Sequence, residues 1–171
     1  MTGRLRLRPW KKGDGRFLMN WLVQERQMRM WCRDHFAYPL TWEQLIRYGE
    51  EMEKDEEAFG FTALDESGTP VGSFRISRVD YRAKSIHLGF IVIDPDRRGQ
   101  GLGNEMVTLA VKYGVDFLGM KRITLNVFDS NPCARRCYEK TGFKEESFRE
   151  KDYAFREEIW GNSLMAYTSK G

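Results

Sequence analysis

The stretch IVIDPDRRGQGLGN, residues 91–104, constrains this chain more than any other. With Phe90 it opens as an apolar run, the pattern of a strand buried on both faces. Pro95 ends that strand, Arg97 and Arg98 follow, and glycines alternate at 99, 101 and 103. Leu102, Met106, Leu109, Ala110, Tyr113 and Phe117 then recur at helical spacing, which predicts a long helix. Strand, glycine turn and helix in this order make an anion site. Glycines bring backbone amides close to a ligand, and the helix start offers unpaired N–H groups at the positive end of its dipole. Arg97 and Arg98 add charge-assisted donors for a phosphate.

Two nucleotide patterns fail at this turn. A Walker A loop needs Gly-Lys-Ser/Thr, and Gly103-Asn104-Glu105 stands there instead. The dinucleotide fingerprint needs a glycine three residues beyond Gly101, where the chain has Asn104.

The rest of the chain frames the turn as a single domain over residues 1–171. Arg4 to Arg8 alternates like a half-buried strand. Phe17, Leu18, Trp21 and Leu22 make a helical stripe with Asp14 as a candidate N-cap. Thr41 and Gln44 form a capping box before Leu45, Tyr48 and Met52. Strands are expected near Phe59–Leu64, Val71–Val79 and Lys84–Ile93, and again at Ile123–Val127. Asn131-Pro132 opens a helix that ends at Gly142. Strands near Phe143–Glu150 and Tyr153–Tyr167 finish a mixed α/β domain.

Composition narrows the function classes. A charged fraction of 31% with a net charge of only +3, interleaved along the chain, argues against nucleic acid as a partner. No apolar run approaches the ~20 residues that cross a bilayer, and the N-terminus lacks a signal-peptide core, so no membrane is expected and the location is cytoplasmic. Three cysteines, Cys32, Cys133 and Cys137, suit a reducing compartment.

The pattern Arg98-x-x-Gly101-x-Gly103 resembles the pyrophosphate-binding motif of the GNAT superfamily of N-acetyltransferases. A second segment, Asn131-x-x-Ala134-x-x-x-Tyr138-x-x-x-Gly142-Phe143, resembles the signature of the helix that follows the fifth strand in the same superfamily. The resemblance implies a mixed, mostly antiparallel sheet flanked by helices, with a splayed parallel strand pair. It implies acetyl-CoA as co-substrate, no metal, and transfer to a primary amine by direct attack in a ternary complex.

Carried over residue by residue, the amides of Arg98, Gly99, Gln100, Gly101, Leu102, Gly103 and Asn104 would cradle the pyrophosphate. The backbone of Ile91, Val92 and Ile93 would pair with the pantetheine arm, with Asn126 and Asn131 on its other side. Tyr138 would stand near the sulfur as acid, although Cys133, Ala134, Cys137 and Tyr138 also read as a packed stripe. His87 occupies the position of a glutamate base in many relatives; a plain strand histidine is its other reading.

The layout resembles the branch with ribosomal-protein N-terminal and spermidine acetyltransferases, so the acceptor is a small-molecule amine or a peptide N-terminus, and a homodimer is a possible assembly. The alternative is a coenzyme A-binding regulatory or scaffold domain without turnover. Cys133 and Cys137, four apart, read as small buried hydrophobes rather than metal ligands. The acidic run Glu50 to Glu57 reads as a solvated helix face, or as an attractor of cationic substrates. Trp10, Trp21, Trp31 and Trp42 read mostly as core, with some available to line an acceptor pocket.

Overall fold

Alternating and doubly apolar segments in this chain assemble one sheet in the computed structural model, which describes residues 4–170. Its strands are β1 (Arg6–Pro9), β2 (Phe59–Leu64), β3 (Pro70–Asp80), β4 (Ser85–Ile93), β5 (Arg122–Phe128), β6 (Lys144–Phe155) and β7 (Glu158–Thr168). They lie in the order β1-β2-β3-β4-β5-β7-β6, and only β4 and β5 run parallel. The helices are α1 (Gly15–Trp21), α2 (Glu25–Cys32), α3 (Trp42–Lys54), α4 (Leu102–Lys112) and α5 (Pro132–Thr141). None is long and apolar enough to cross a membrane.

Two cores explain why β4 is apolar on both faces. On one side α4 and α5 bury Leu102, Met106, Ala110 and Tyr138 against Ile76, Leu88, Ile123 and Leu125. On the other, α1 to α3 gather Leu18, Trp21, Met28, Trp31, Leu45 and Tyr48 around Val92 and Phe90. Full burial of side chains of this size is worth about 1.5–3 kcal/mol each, so β4 is pinned from both faces. The α3 capping box forms as expected, with Gln44 N–H donating to Thr41 Oγ1 at 3.3 Å.

Three local expectations are corrected and one helix is added. Helix α2 was not read from the sequence; its apolar stripe of Met28, Trp31 and Cys32 is short and set among arginines. Asp14 does not cap α1 with its side chain. Its buried carboxylate instead accepts from Arg8 at 2.7 and 2.9 Å, from the Lys11 amide at 2.9 Å and from Thr62 at 2.7 Å. The helix expected to run unbroken to Phe117 changes to a π turn at Tyr113–Phe117. Gly114 there packs against Ile86 and Ile123, where a Cβ would clash, and the wider turn rotates Phe117 to 75% exposure. The final hairpin turns at Arg156-Glu157 rather than near Lys151, because β6 carries a bulge between Arg149 and Tyr153 and continues past it.

Asp14 joins β1, β2 and the start of α1. Burial alone would raise its carboxyl, but the bonds from Arg8, the Lys11 amide and Thr62 outweigh that and hold it below the ordinary carboxylate value. A lowered folded value stabilises the protein above the unfolded value and loses that stability as pH falls through the folded one. Asp14→Ala is therefore expected to cost about 2–4 kcal/mol in urea unfolding at neutral pH. The gap to wild type should narrow below about pH 4, as wild-type Asp14 protonates.

Candidate active site

The parallel pairing of β4 with β5 is short. It joins Ser85, Ile86, His87 and Leu88 to Arg122, Ile123, Thr124 and Leu125, then stops. Both strands continue: β4 to Ile93 with β3 on its far side, and β5 to Phe128 with β7 on its far side. The facing edges of Gly89–Ile93 and Asn126–Phe128 therefore leave backbone donors and acceptors without a strand partner, a state that invites a ligand. At Phe90, φ is +50° and β4 skips a partner between Gly89 and Val92 on β3, which marks a bulge. A Cβ on Gly89 would meet nothing within 4 Å, so the first position past the pairing is open space.

The glycine turn sits at the end of the same strand. Gly99 and Gly101 both have φ of +77°, the left-handed region that favours glycine. Helix α4 makes its first bond from Glu105 N–H to the Gly101 carbonyl at 3.1 Å, which leaves the amides of Leu102, Gly103 and Asn104 free at the helix start. Gly103 is different. Its φ is ordinary and an added Cβ would sit in normal contact with Cys137 and Ile93 at 3.6 and 3.7 Å, so the fold itself does not demand glycine there.

The cations divide. Arg97 bonds Asp65 at 3.0 Å and serves the β2–β3 turn, contrary to its expected phosphate role. Asp65 is held far below the usual carboxylate range by bonds from Ser67, Arg97 and Thr69. Arg98 stays exposed, and among the described residues its side chain bonds Gln27 at 3.5 Å. A residue missed in the sequence joins it. Arg4 donates to the Gln100 carbonyl at 2.7 Å and pairs with Glu105 at 3.3 Å, bracing the turn from the N-terminus. Its place in a short alternating strand gave no signal of that contact.

The structure brings Asn126 to the first β5 position beyond the pairing, exposed. Asn131 uses its side-chain oxygen to cap α5, accepting from Ala134 N–H at 3.3 Å, and keeps its NH₂ for other partners. The Asn104 side chain ties α4 to α5 through Thr141 at 2.9 Å. Tyr138 is buried on α5 beside Phe143, and burial, with a smaller push from Cys137, raises its phenol well above the ordinary value. His87 lies below the splay with Nδ1 2.8 Å from Thr124 Oγ1. Burial and then Arg78 lower it to about 4, so it is neutral but a weak base at pH 7. Among the described residues no three metal-binding side chains cluster, and Cys32, Cys133 and Cys137 are free thiols.

One wall of the open face comes from elements far apart in sequence. Helix α2 and the loop after it are clasped to the β6–β7 hairpin: Arg26 pairs with Glu158 at 3.0 Å and Glu25 with Arg156 at 3.1 Å from the helix, while from the loop Arg33 pairs with Asp152 and Asp34 accepts from Tyr153 at 2.8 Å. Arg33 also lies over the rings of Phe128 and Tyr153. A separate groove of about 520 Å³ is lined by Trp10, Leu45, Gly49, Met52 and Gly60, among others, and includes none of the splay or turn residues.

Comparison with known proteins fits this geometry. Residues 4–144 match the family described as Acetyltransferase (GNAT) domain. The chain is 26% identical over 146 residues to the spermidine N(1)-acetyltransferase of Vibrio cholerae, covering 85% of this chain and 82% of that protein. It is 24% identical over 137 residues to human alpha/beta-tubulin-N-acetyltransferase 9, covering 73% of this chain and 64% of the relative. The crystal structure of the Vibrio cholerae spermidine N-acetyltransferase with CoA and spermine superposes with a TM-score of 0.84 at 22% identity, over 96% of this chain and 95% of that one. With the family match spanning most of its length, this chain belongs to the GNAT family of acetyltransferases and is an acetyl-CoA-dependent N-acetyltransferase.

Proposed function

We propose that the gap between β4 and β5 takes the pantetheine arm of acetyl-CoA, that the amides of Arg98 to Asn104 hold its pyrophosphate, and that a small primary amine is acetylated on the α1–α3 side. The observation that carries this reading is the early end of the parallel pairing at Leu88 and Leu125, next to the glycine turn. An extended arm with its own amides satisfies the exposed edges of Gly89–Ile93 as a strand would.

The donor set fits the co-substrate. Free amides at the start of α4, left-handed Gly99 and Gly101, and the exposed Arg98 suit a doubly charged pyrophosphate. Gly103, which neither φ nor packing requires, leaves room for a phosphate to approach the helix axis. Asn126 and the free NH₂ of Asn131 flank the gap from β5 and α5.

Acetyl-CoA supplies the acyl group as a thioester with a thiolate leaving group. The chain supplies the rest. A backbone N–H of the Phe90–Ile93 run, fixed by pairing with β3, polarises a carbonyl placed in the gap; a fixed donor of that kind is worth about 3 kcal/mol in comparable sites. Tyr138, kept protonated by burial, is suited to donate to the departing sulfur. The Vibrio cholerae relative names spermidine as its acceptor, and a polyamine is the first acceptor expected here.

Thiol release from acetyl-CoA in the presence of pooled amines tests this reading, with polyamines, aminoglycosides, amino acids and short peptides in separate pools. Release driven by polyamines supports it, and release driven only by peptides moves the acceptor to a protein N-terminus. Gly103→Ala should weaken coenzyme A binding at least about tenfold by calorimetry, with a melting temperature no lower than wild type. Tyr138→Phe should lower kcat by about 10²-fold and leave coenzyme A affinity within about twofold.

A further inference from the structure

We propose that His35, oriented by Glu51, is the base that takes the proton from the acceptor ammonium. The assignment rests on the transferase reading above and adds the group that reading lacks. An alkylammonium of pKa ~10.4 must lose a proton before its nitrogen can attack. The chain has two histidines. His87 is desolvated, bonded to Thr124 and lowered to about 4.

His35 stands differently. It lies in the loop between α2 and α3, anchored by its own N–H to the Cys32 carbonyl at 3.0 Å. Its ring meets Phe36 edge-on at 4.6 Å and Phe90 at 5.3 Å. Phe90 is the left-handed bulge residue of β4, one residue before the Ile91–Ile93 edge of the gap. The ring thus sits a side chain's width from the strand edge where the acyl carbonyl is placed, on the α1–α3 face where the amine arrives. At 38% exposure it can exchange protons with solvent.

Nε2 of His35 lies 3.0 Å from Glu51 Oε2. An ionised carboxylate only accepts, so Nε2 carries the proton and Nδ1 carries the lone pair. Glu51 is itself steadied from β3. Arg75 approaches it at 4.0 Å and Asp55 at 3.7 Å, while its guanidinium stacks over Phe90 at 5.5 Å and Tyr48 at 5.8 Å. Other charged or titratable groups around the ring are Arg29 and Cys32 on α2, Arg33 and Asp34 on the same loop, and Tyr48 on α3.

The protons balance. Nδ1 accepts one from the ammonium and passes it to solvent. The nitrogen lone pair forms the C–N bond, the C–S bond breaks as Tyr138 gives its proton to sulfur, and the second proton leaves nitrogen for solvent, from which the Tyr138 phenol is reprotonated. One proton is released per acyl group transferred.

The test is the pH profile of kcat/KM with acetyl-CoA and spermidine, or with the most active amine of the pools, from about pH 6 to about pH 10. His35→Gln should lose about 10²-fold at pH 7 and less than about fivefold at pH 10, where free amine is plentiful. Glu51→Gln should lose about tenfold at pH 7, and added imidazole should restore part of the activity of His35→Ala. Melting temperature and coenzyme A affinity should match wild type in all three variants. Activity of His35→Gln within about threefold of wild type at pH 7 would overturn the proposal. So would an equal loss at every pH, or loss of the acid limb in His87→Gln alone. Wild-type protein that releases no thiol with any amine fails the transferase reading, and the base assignment with it.

Discussion

Everything at this site depends on one interrupted ladder. Parallel pairing between β4 and β5 is satisfied from Ser85 to Leu88 and then abandoned, although both strands stay in the sheet through their outer neighbours β3 and β7. Unpaired backbone groups are costly when buried, so this opening is held by the rest of the fold. The two cores grip β4 from both faces, through Leu88 on the α4 side and Val92 on the α1–α3 side, and the bulge at Phe90 lets the strand change which residue faces which core.

The second constraint is how charge is distributed around the turn. Adjacent arginines look equivalent in sequence, yet Arg97 is committed to Asp65 and Arg98 is left facing solvent. Arg4 holds the turn by the Gln100 carbonyl while Glu105 also receives the Leu5 amide at 2.8 Å, so the segment leading into β1 is locked to the start of α4. Backbone amides held this way are preorganised: the left-handed glycines and the contacts of Arg4 and Glu105 fix the turn, so little backbone ordering would remain on binding an anion.

The face that carries α1 to α3 follows another logic. Its wall is built from α2, α3, β3 and the β6–β7 hairpin, joined by ion pairs that are individually weak at exposed positions. Together with the aromatic contacts of Trp31, Phe36, Tyr48 and Phe90 they fix the loop that carries His35. The first sixty residues carry helix signals but no ligand motif, and they supply α2 and α3 to this wall.

Local physics made much of the protein legible from its sequence. The glycine turn, the helix after it, the Asn131-Pro132 start and Gly142 end of α5, and the doubly buried β4 all follow from backbone freedom, capping and periodicity within a dozen residues. What the sequence left open depended on partners far along the chain. Asp14 abandons its cap for Arg8 and Thr62, Arg97 pairs with Asp65, Arg4 reaches Gln100, and Glu51 meets His35. A side chain's charge and hydrogen-bonding capacity are written in the sequence, but which partner satisfies them is decided only when the sheet brings distant segments within a few ångströms.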